Sequence, residues 1–547
     1  MKQTFRYRWL AATALAGVLA ACPAYAQSSP NADARIQALE AQVAELKRMV
    51  EQMRGQNGAP AAAPSTGASG SAGSADVASN SGANASPPAS SPDTPRPVTN
   101  GQSATKRGFA VFDGKPSIQS EDGRFVANLH GVIQFDAANY FQPGGGPIAT
   151  DFRRGGSAGE NARGRNLQSG TNVRRARIGI DGKVFGDVEY NILYDFGGSG
   201  EEDAGHIQEA WLQYSGLKPF HLKVGVTRPS LGIEDQGSTN GMLFLERPAS
   251  TDLQASVAGS DFRESAQLYV TKNRLYAMLG LTSRIVGVIN SQAAGVTQPF
   301  NQQIGGIGRV VFLPVLGEDY LVHLGVHGSR AFSIADAGGP DGTGTRYPVD
   351  LRKRPELRVD GTRLIDTGGI NARHVNTVGG EFAAQKRQFL VQGEYEYLGI
   401  DRRDSVLANP HFYGFYVEGA WTLTGERRKY NTSTFAFDAP PVAHPFDLRE
   451  GHYGAFELAA RFSESNLNYD KGQFGLAAPA DGVRGGDQKI YAAGLNWYLN
   501  PIVRFMFDYQ HVDVKRLSPN ATTFLTPVGA EIGQAYDVLS IRSQLAF

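Results

Sequence analysis

The last strand of this chain is written with a period of two: Leu539, Ile541, Leu545 and the terminal Phe547 are apolar, while Ser540, Arg542 and Gln544 between them are polar. A strand that shows one face to hydrocarbon and the other to a wet interior needs this pattern. Closure into a barrel then removes the unpaired edge that lipid cannot solvate. The alternation recurs upstream. Leu129, Gly131, Ile133 and Phe135 interleave with His130, Gln134 and Asp136; Ile178 and Ile180 with Arg175, Arg177 and Asp181; Phe505, Phe507 and Tyr509 with Arg504, Asp508 and Gln510. Such segments count out to about sixteen, within the even-numbered range of bacterial outer-membrane barrels. A soluble β-sandwich could alternate too, but it would have to bury Phe and Tyr at nearly every second position over several hundred residues, and domains of that size divide. The pattern predicts an all-β fold, a sixteen-stranded antiparallel transmembrane β-barrel over residues 108–547, with Phe547 as its terminal signal.

Three segments precede the barrel. Lys2, Arg6 and Arg8 stand before an apolar run from Trp9 to Ala21, followed by Ala24, Tyr25 and Ala26. This reads as a secretory signal peptide over 1–26, too short to span a bilayer as a helix. The string Leu19-Ala20-Ala21-Cys22 leaves a second reading open, in which Cys22 is the acylated first residue of a lipoprotein. With cleavage after Ala26, the one cysteine of the chain leaves with the signal, and the mature protein has no disulfide, thiol nucleophile or thiolate metal site. Within 27–54, Ile36, Leu39, Val43, Leu46, Val50 and Met53 alternate spacings of three and four, which predicts a short periplasmic coiled coil. An amphipathic helix lying on a surface fits the same stripe. Residues 55–107 are Ala, Gly, Ser, Pro and Asn with few charges, a disordered linker whose reach is roughly 40 Å.

Charge excludes some partners. Lys and Arg total 53 and Asp and Glu total 53, and from Gly108 onward 43 basic residues stand against 47 acidic. No global cationic field is available to nucleic acid, so any ion selectivity must come from local placement. Connections between strands alternate in length. Turns such as Phe185-Gly186-Asp187, Ser215–Lys218, Pro314–Gly317 and Leu499-Asn500-Pro501 are short and suit a periplasmic end, whereas Gln142–Thr171, Pro229–Ser260, Ile285–Pro299 and Ile334–Arg373 are long. Tyr140, Trp421, Trp497 and Tyr498 fall near strand ends, where interfacial aromatic girdles are expected.

Five strings in order resemble the phosphate-selective porins O and P. They are Arg174-Arg175-Ala176-Arg177-Ile178-Gly179; Thr227-Arg228-Pro229 through Glu234-Asp235 to Phe244-Leu245-Glu246-Arg247; Leu423-Thr424-Gly425-Glu426 with Tyr430; Gly454 to Arg461; and Gly494 to Pro501. The resemblance covers roughly 108–547 and implies a homotrimer of sixteen-stranded barrels in the outer membrane of a Gram-negative bacterium, inserted by the barrel-assembly machinery. Each barrel would be a passive, water-filled channel constricted by an inward loop and lined by basic residues that bind inorganic anions such as phosphate or pyrophosphate. No cofactor is implied.

Strand parity turns Arg175, Arg177, Lys183, Lys223, Arg309, Arg461, Arg504 and Arg542 toward the lumen, and an inward loop over Pro229–Ser260 brings Arg228 and Arg247 to the constriction. Guanidinium is charged at every relevant pH and its donor fork fits phosphate oxygens, which makes these ten the candidate anion ligands. The plainer reading is cross-strand pairing, because Glu189, Asp195, Glu209, Glu394, Glu396, Glu418, Glu457 and Asp508 share the lumen face. No Ser, His or Asp stands in a nucleophile-elbow context, so the chain reads as a channel, not an enzyme. His323 and His327 are four residues apart, roughly 13 Å along an extended strand, too far to ligate one metal together. Two alternatives remain: a non-selective general porin, and a structural anchor whose coiled coil contacts the periplasm or cell wall.

Overall fold

The computed structural model describes residues 109–112, 115–142, 167–197, 205–258, 262–285, 301–337, 346–403, 405–519 and 528–547. The expected signal peptide, coiled coil and linker lie outside these residues. Sixteen strands form one closed antiparallel barrel: β1 (Val126–Phe141), β2 (Gly170–Val184), β3 (Val188–Asp195), β4 (His206–Tyr214), β5 (Phe220–Thr227), β6 (Arg263–Lys272), β7 (Leu275–Ile285), β8 (Ile304–Leu316), β9 (Tyr320–Ser333), β10 (Ile370–Lys386), β11 (Phe389–Arg402), β12 (His411–Thr422), β13 (Ala455–Tyr469), β14 (Val483–Tyr498), β15 (Val503–Lys515) and β16 (Gln534–Ala546). Each pairs with its neighbours in sequence, and β16 returns to β1 in register from Val538↔Tyr140 to Ala546↔Val132.

The seam explains the last residue. Gly131 and Phe547 exchange both backbone hydrogen bonds at 3.0 Å, and a Cβ at position 131 would stand 2.8 Å from the Phe547 ring. Glycine at 131 therefore makes room for the terminal aromatic. Below it, the part of β1 that β16 does not reach is paired by a short strand, Lys115–Gln119, through Ser117↔Asn128. The seam strand thus carries partners to its end, as hydrocarbon demands.

Burial is inverted relative to a soluble protein. Leu279 is 73% exposed, and Ile133, Leu212, Leu281, Val326, Val378 and Leu539 are likewise open on the outer face, whereas Arg309, Glu418, Asp508 and Arg542 are buried inside. This inversion is what a lipid-facing exterior requires. An aromatic girdle marks the short-turn end: Phe389 stacks on Trp421, and Trp497 stacks on Phe456 and meets Phe505. Tyr140 and Tyr498 are not part of it. Both fall in the inward phase of their strands, where the Tyr498 hydroxyl donates to Glu457 at 2.8 Å and the Tyr140 hydroxyl accepts from the Asp360 N–H at 3.3 Å.

Two details depart from simple alternation. Gln134 pairs with Arg175 while Phe135 pairs with Val173, so Arg174 is the extra residue of a β-bulge. The bulge turns two consecutive arginines inward, and both are buried. The second departure is the connection from β12 to β13, residues 423–454, which is long although it lies at the short-turn end; it folds into the barrel and carries a small hairpin, Tyr430–Asn431 with Ala436–Phe437.

If the outer face meets hydrocarbon, Leu279→Arg should lower barrel stability by about 2–4 kcal/mol at mid-membrane depth. Denaturant titration in lipid vesicles measures this, and an unchanged midpoint would contradict the inversion.

Candidate functional site

A chain laid inside a barrel brings backbone groups that no ladder satisfies, so the wall must supply partners. Residues 228–258, which follow β5, fold inward with two short helices, α1 (Ile233–Gln236) and α2 (Ala249–Ser256), packed toward β11–β13. The bent stretch between the helices is clamped at several residues. Arg504 donates to the carbonyls of Asn240 (2.9 Å) and Met242, Asn496 to Leu243 (3.0 Å), Arg542 to Leu245, and Arg461 to Glu246 (2.9 Å). In the other direction, Asp508 accepts the Leu245 N–H at 2.8 Å and Glu394 accepts the Ile233 N–H at 2.5 Å.

Two further segments enter the lumen. From the 346–369 region, Glu356 accepts from Arg461 (3.1 Å), Ser463 (2.6 Å) and the Ala249 N–H (2.9 Å), tying wall and inward loop together. From 423–454, the carbonyls of Thr434 and Phe435 accept from Arg309 at 2.9 and 3.0 Å, and Arg428 pairs with Glu457 at 2.8 Å while donating to Gly241.

This geometry sorts the candidate cations. Arg309 spends all five of its donors on protein: two on Glu381 (2.9 and 2.7 Å), one on Ser230 (3.0 Å) and two on the Thr434 and Phe435 carbonyls. Arg542 makes a bidentate pair with Asp136 (2.6 and 2.7 Å) and reaches Glu246 at 3.1 Å. Arg461 joins Glu418 at 2.8 Å to Glu356, and Arg504 bonds Asn496 at 2.7 Å besides its two carbonyls. Arg247 donates to the carbonyls of Glu234 (3.1 Å), Asp235 (3.4 Å) and Gly237 (2.9 Å), closing the end of α1. These five arginines hold the inward segments in place.

The remaining five lie on β2, on β5 or just beyond it. Arg175 donates to Gln134 at 2.6 Å and lies 3.8 Å from Glu246. Arg177 pairs with Asp195 at 2.6 Å, and Arg228 lies 3.8 Å from Asp235; both sit over the Phe262 ring, at 6.0 and 5.7 Å. Lys183 is half-exposed and 4.0 Å from Glu189. Lys223 has no carboxylate at salt-bridge distance among the described residues; its ammonium rests 4.3 Å from the centre of the Trp211 ring. The cations along β2–β5 are thus less committed to the inward segments than those of β8–β16, although β2 also meets the inward loop, with Arg175 near Glu246.

Charges missing from the candidate set include Arg174, which pairs with Glu246 at 2.6 Å and was hidden by the bulge, and Arg428 on the long connection. Burial alone would raise the Glu246 carboxyl, but Arg174, Arg175, Arg358 and Arg542 around it hold it well below the usual carboxylate range. Glu234 goes the other way: burial, with Glu418 beside it, pushes it up to about 8.

The two histidines of β9, far apart along the strand, converge on one carboxylate of β10. Glu381 lies 3.0 Å from His323 Nε2 and 2.9 Å from His327 Nδ1, and His327 Nε2 lies 3.0 Å from Glu396. Atoms of His327, Glu381 and Glu394 also come within 4.8 Å of one another, a metal-like grouping among the described residues. Both ring nitrogens of His327 and both oxygens of Glu381 are already engaged, and the Arg309 guanidinium sits against the same carboxylate. The chemistry of this donor set is a hydrogen-bonded latch.

The sequence profile of the family described as "Phosphate-selective porin O and P" matches residues 141–547. Porin O of Pseudomonas aeruginosa is 26% identical over 401 residues, covering 69% of this chain and 84% of that protein. An uncharacterized protein of Caulobacter vibrioides is 26% identical over 504 residues, covering 90% of this chain and 87% of its own length. Among solved structures, a loop-deletion mutant of OmpT, an outer membrane protein of Vibrio cholerae, aligns over 78% of this chain and 100% of its own at a TM-score of 0.43 and 10% identity.

Two outcomes test the clamps. Arg309→Met strands the buried Glu381 carboxylate and should cost about 3–5 kcal/mol, lowering the denaturation midpoint in detergent, with part of the loss recovered by Glu381→Gln in the same chain. For Glu234 the folded state holds the proton more tightly than the unfolded chain, so its contribution to stability falls as pH rises from the ordinary carboxyl range through about 8. Single-channel current should become noisier between pH 7 and 9, roughly the window in which such a group ionises, and Glu234→Gln should remove that change.

Proposed function

We propose that this chain, which belongs to the phosphate-selective porin O and P family and is an outer-membrane porin, passes small hydrophilic anions down their gradient along the open wall of β2–β5. Lys223 carries the reading. It is half-buried on the lumen face, and no carboxylate lies at salt-bridge distance from its ammonium among the described residues, which leaves that ammonium available to a passing anion. Arg175 adds positive charge behind it, with its one hydrogen bond given to the neutral amide of Gln134. Arg177, Arg228 and Lys183 complete a basic file from the long-loop end to the short-turn end, and successive sites of this kind let an anion leave one as it enters the next. Inorganic phosphate and pyrophosphate fit the forked donors of the arginines.

The reading extends to a homotrimer of such barrels, each with its own pore. It also places the short-turn end in the periplasm, where β1 begins, so that the N-terminal segment with its heptads would hang there. Channel function follows from the family and the barrel; the electrostatics of Lys223 add the sign of the ion.

The zero-current potential of the protein in a planar bilayer across a tenfold potassium chloride gradient tests this, with the sign of anion selectivity expected. Lys223→Glu should move that potential toward cation selectivity. A cation-selective wild-type channel overturns the reading and leaves a porin that keeps the family's barrel without its preference for anions.

A further inference from the structure

Lys223 does not stand alone. Trp211 on β4, His221 on β5 and Tyr269 on β6 project from adjacent strands into the lumen beside it, all half-buried. The Lys223 ammonium lies 4.3 Å from the Trp211 ring centre and 5.9 Å from that of Tyr269. His221 and Tyr269 are stacked, with centroids 4.7 Å apart and planes inclined by 9°. Each ring is fixed at its polar edge. Trp211 Nε1 donates to Glu209 at 2.8 Å, the Tyr269 hydroxyl donates to Gln213 at 2.7 Å, and His221 Nδ1 lies 3.1 Å from Ser215 Oγ. Rings held in this way lose little freedom when a planar guest stacks on them.

A porin wall selecting only bare inorganic ions has no use for this arrangement. Aromatic faces offer dispersion and offset stacking to another π-system, and a lysine on a flexible stem can leave a ring face to meet an anionic oxygen. We propose that Trp211, His221, Lys223 and Tyr269 form a lumen site for organic anions that carry a planar aromatic ring, with a carboxylate on Lys223 and the ring against the aromatic wall. The proposal rests on the reading of the lumen as an anion path and names the solute class that the path favours. Gln213 and Gln267, which flank Lys223 on the neighbouring strands, have their amide N–H groups engaged by Glu189 and Ser215 and by Thr227 and Ser265. Recognition at this level therefore falls to the rings and the ammonium.

The test uses the full-length protein in planar bilayers, with benzoate and cyclohexanecarboxylate as blockers of chloride current. The two carry the same charge on rings of similar size, and only one ring is aromatic. Half-block by benzoate should occur at about fivefold lower concentration than by cyclohexanecarboxylate, the order of factor that one ring pair supplies. Trp211→Leu should erase the difference, and Trp211→Phe, which restores a ring face, should recover part of it. Equal block by the two acids, or a difference that survives Trp211→Leu, overturns the site. The reversal potential in potassium chloride, recorded on the same membranes, separates the failures: an anion-selective channel that does not discriminate the acids defeats only the aromatic site, and a cation-selective one defeats the anion path itself.

Discussion

Irregular backbone inside a barrel needs hydrogen-bond partners from side chains, and most of this structure depends on that demand. The inward loop runs through a series of bends from Asn240 to Glu246, where its carbonyls find no regular backbone partners. Arg504, Asn496, Arg542 and Arg461, on four neighbouring strands, meet them. Arginine suits this work because its planar group can serve a carboxylate with one edge and a carbonyl with another. Arg542 does so, holding Asp136 and the Leu245 carbonyl at once. The carboxylates matter equally: without Asp136, Glu381 and Glu418, the guanidinium groups that grip the loop would be buried charges with no counter-ion.

The asymmetry of the pore follows. Clamps crowd β8–β16, Arg174 on β2 holds Glu246 of the inward loop, and such contacts thin out along β3–β5. On the proposed reading the solute path runs along the side with the fewest clamps, and a cation's value for selectivity depends on whether its donors are already spent. Arg309 and Arg542 are the most completely coordinated of the ten candidates and so the least able to offer a donor to a passing ion. Lys223, a single point charge over a tryptophan, has the least competition from protein acceptors.

The period-two pattern made the barrel legible from sequence, because alternation is a local property and sixteen repetitions of it leave few other folds. Parity also turned Arg309, Arg461, Arg504 and Arg542 to the correct face. What they touch was not legible: carbonyls of a loop some 200 to 300 residues away in sequence leave no signature at the arginine. The bulge at Arg174 escaped for a related reason, since one extra residue shifts the phase only in the three-dimensional pairing with β1. The length of 423–454 was visible, but loop length alone does not distinguish a chain that folds inward from one that hangs outside. Tyr140 and Tyr498 show the converse error, aromatic type being taken for a girdle where phase pointed inside.

Clamping also explains why the basic and acidic totals of the barrel nearly cancel. A wall that clamps its own loops needs cations and carboxylates in nearly equal number, because each buried guanidinium demands a counter-charge. Near-neutral composition is thus the signature of the clamping layer and says little about the ions that pass. Selectivity is set by the small remainder outside that layer. Glu209 accepts from Asn191 at 2.7 Å and from Trp211 at 2.8 Å, neutral donors that leave its charge in place, and Lys223 shares the same wall. The charges at this level are one carboxylate whose Oε2 takes both neutral donors and one ammonium resting over the Trp211 ring.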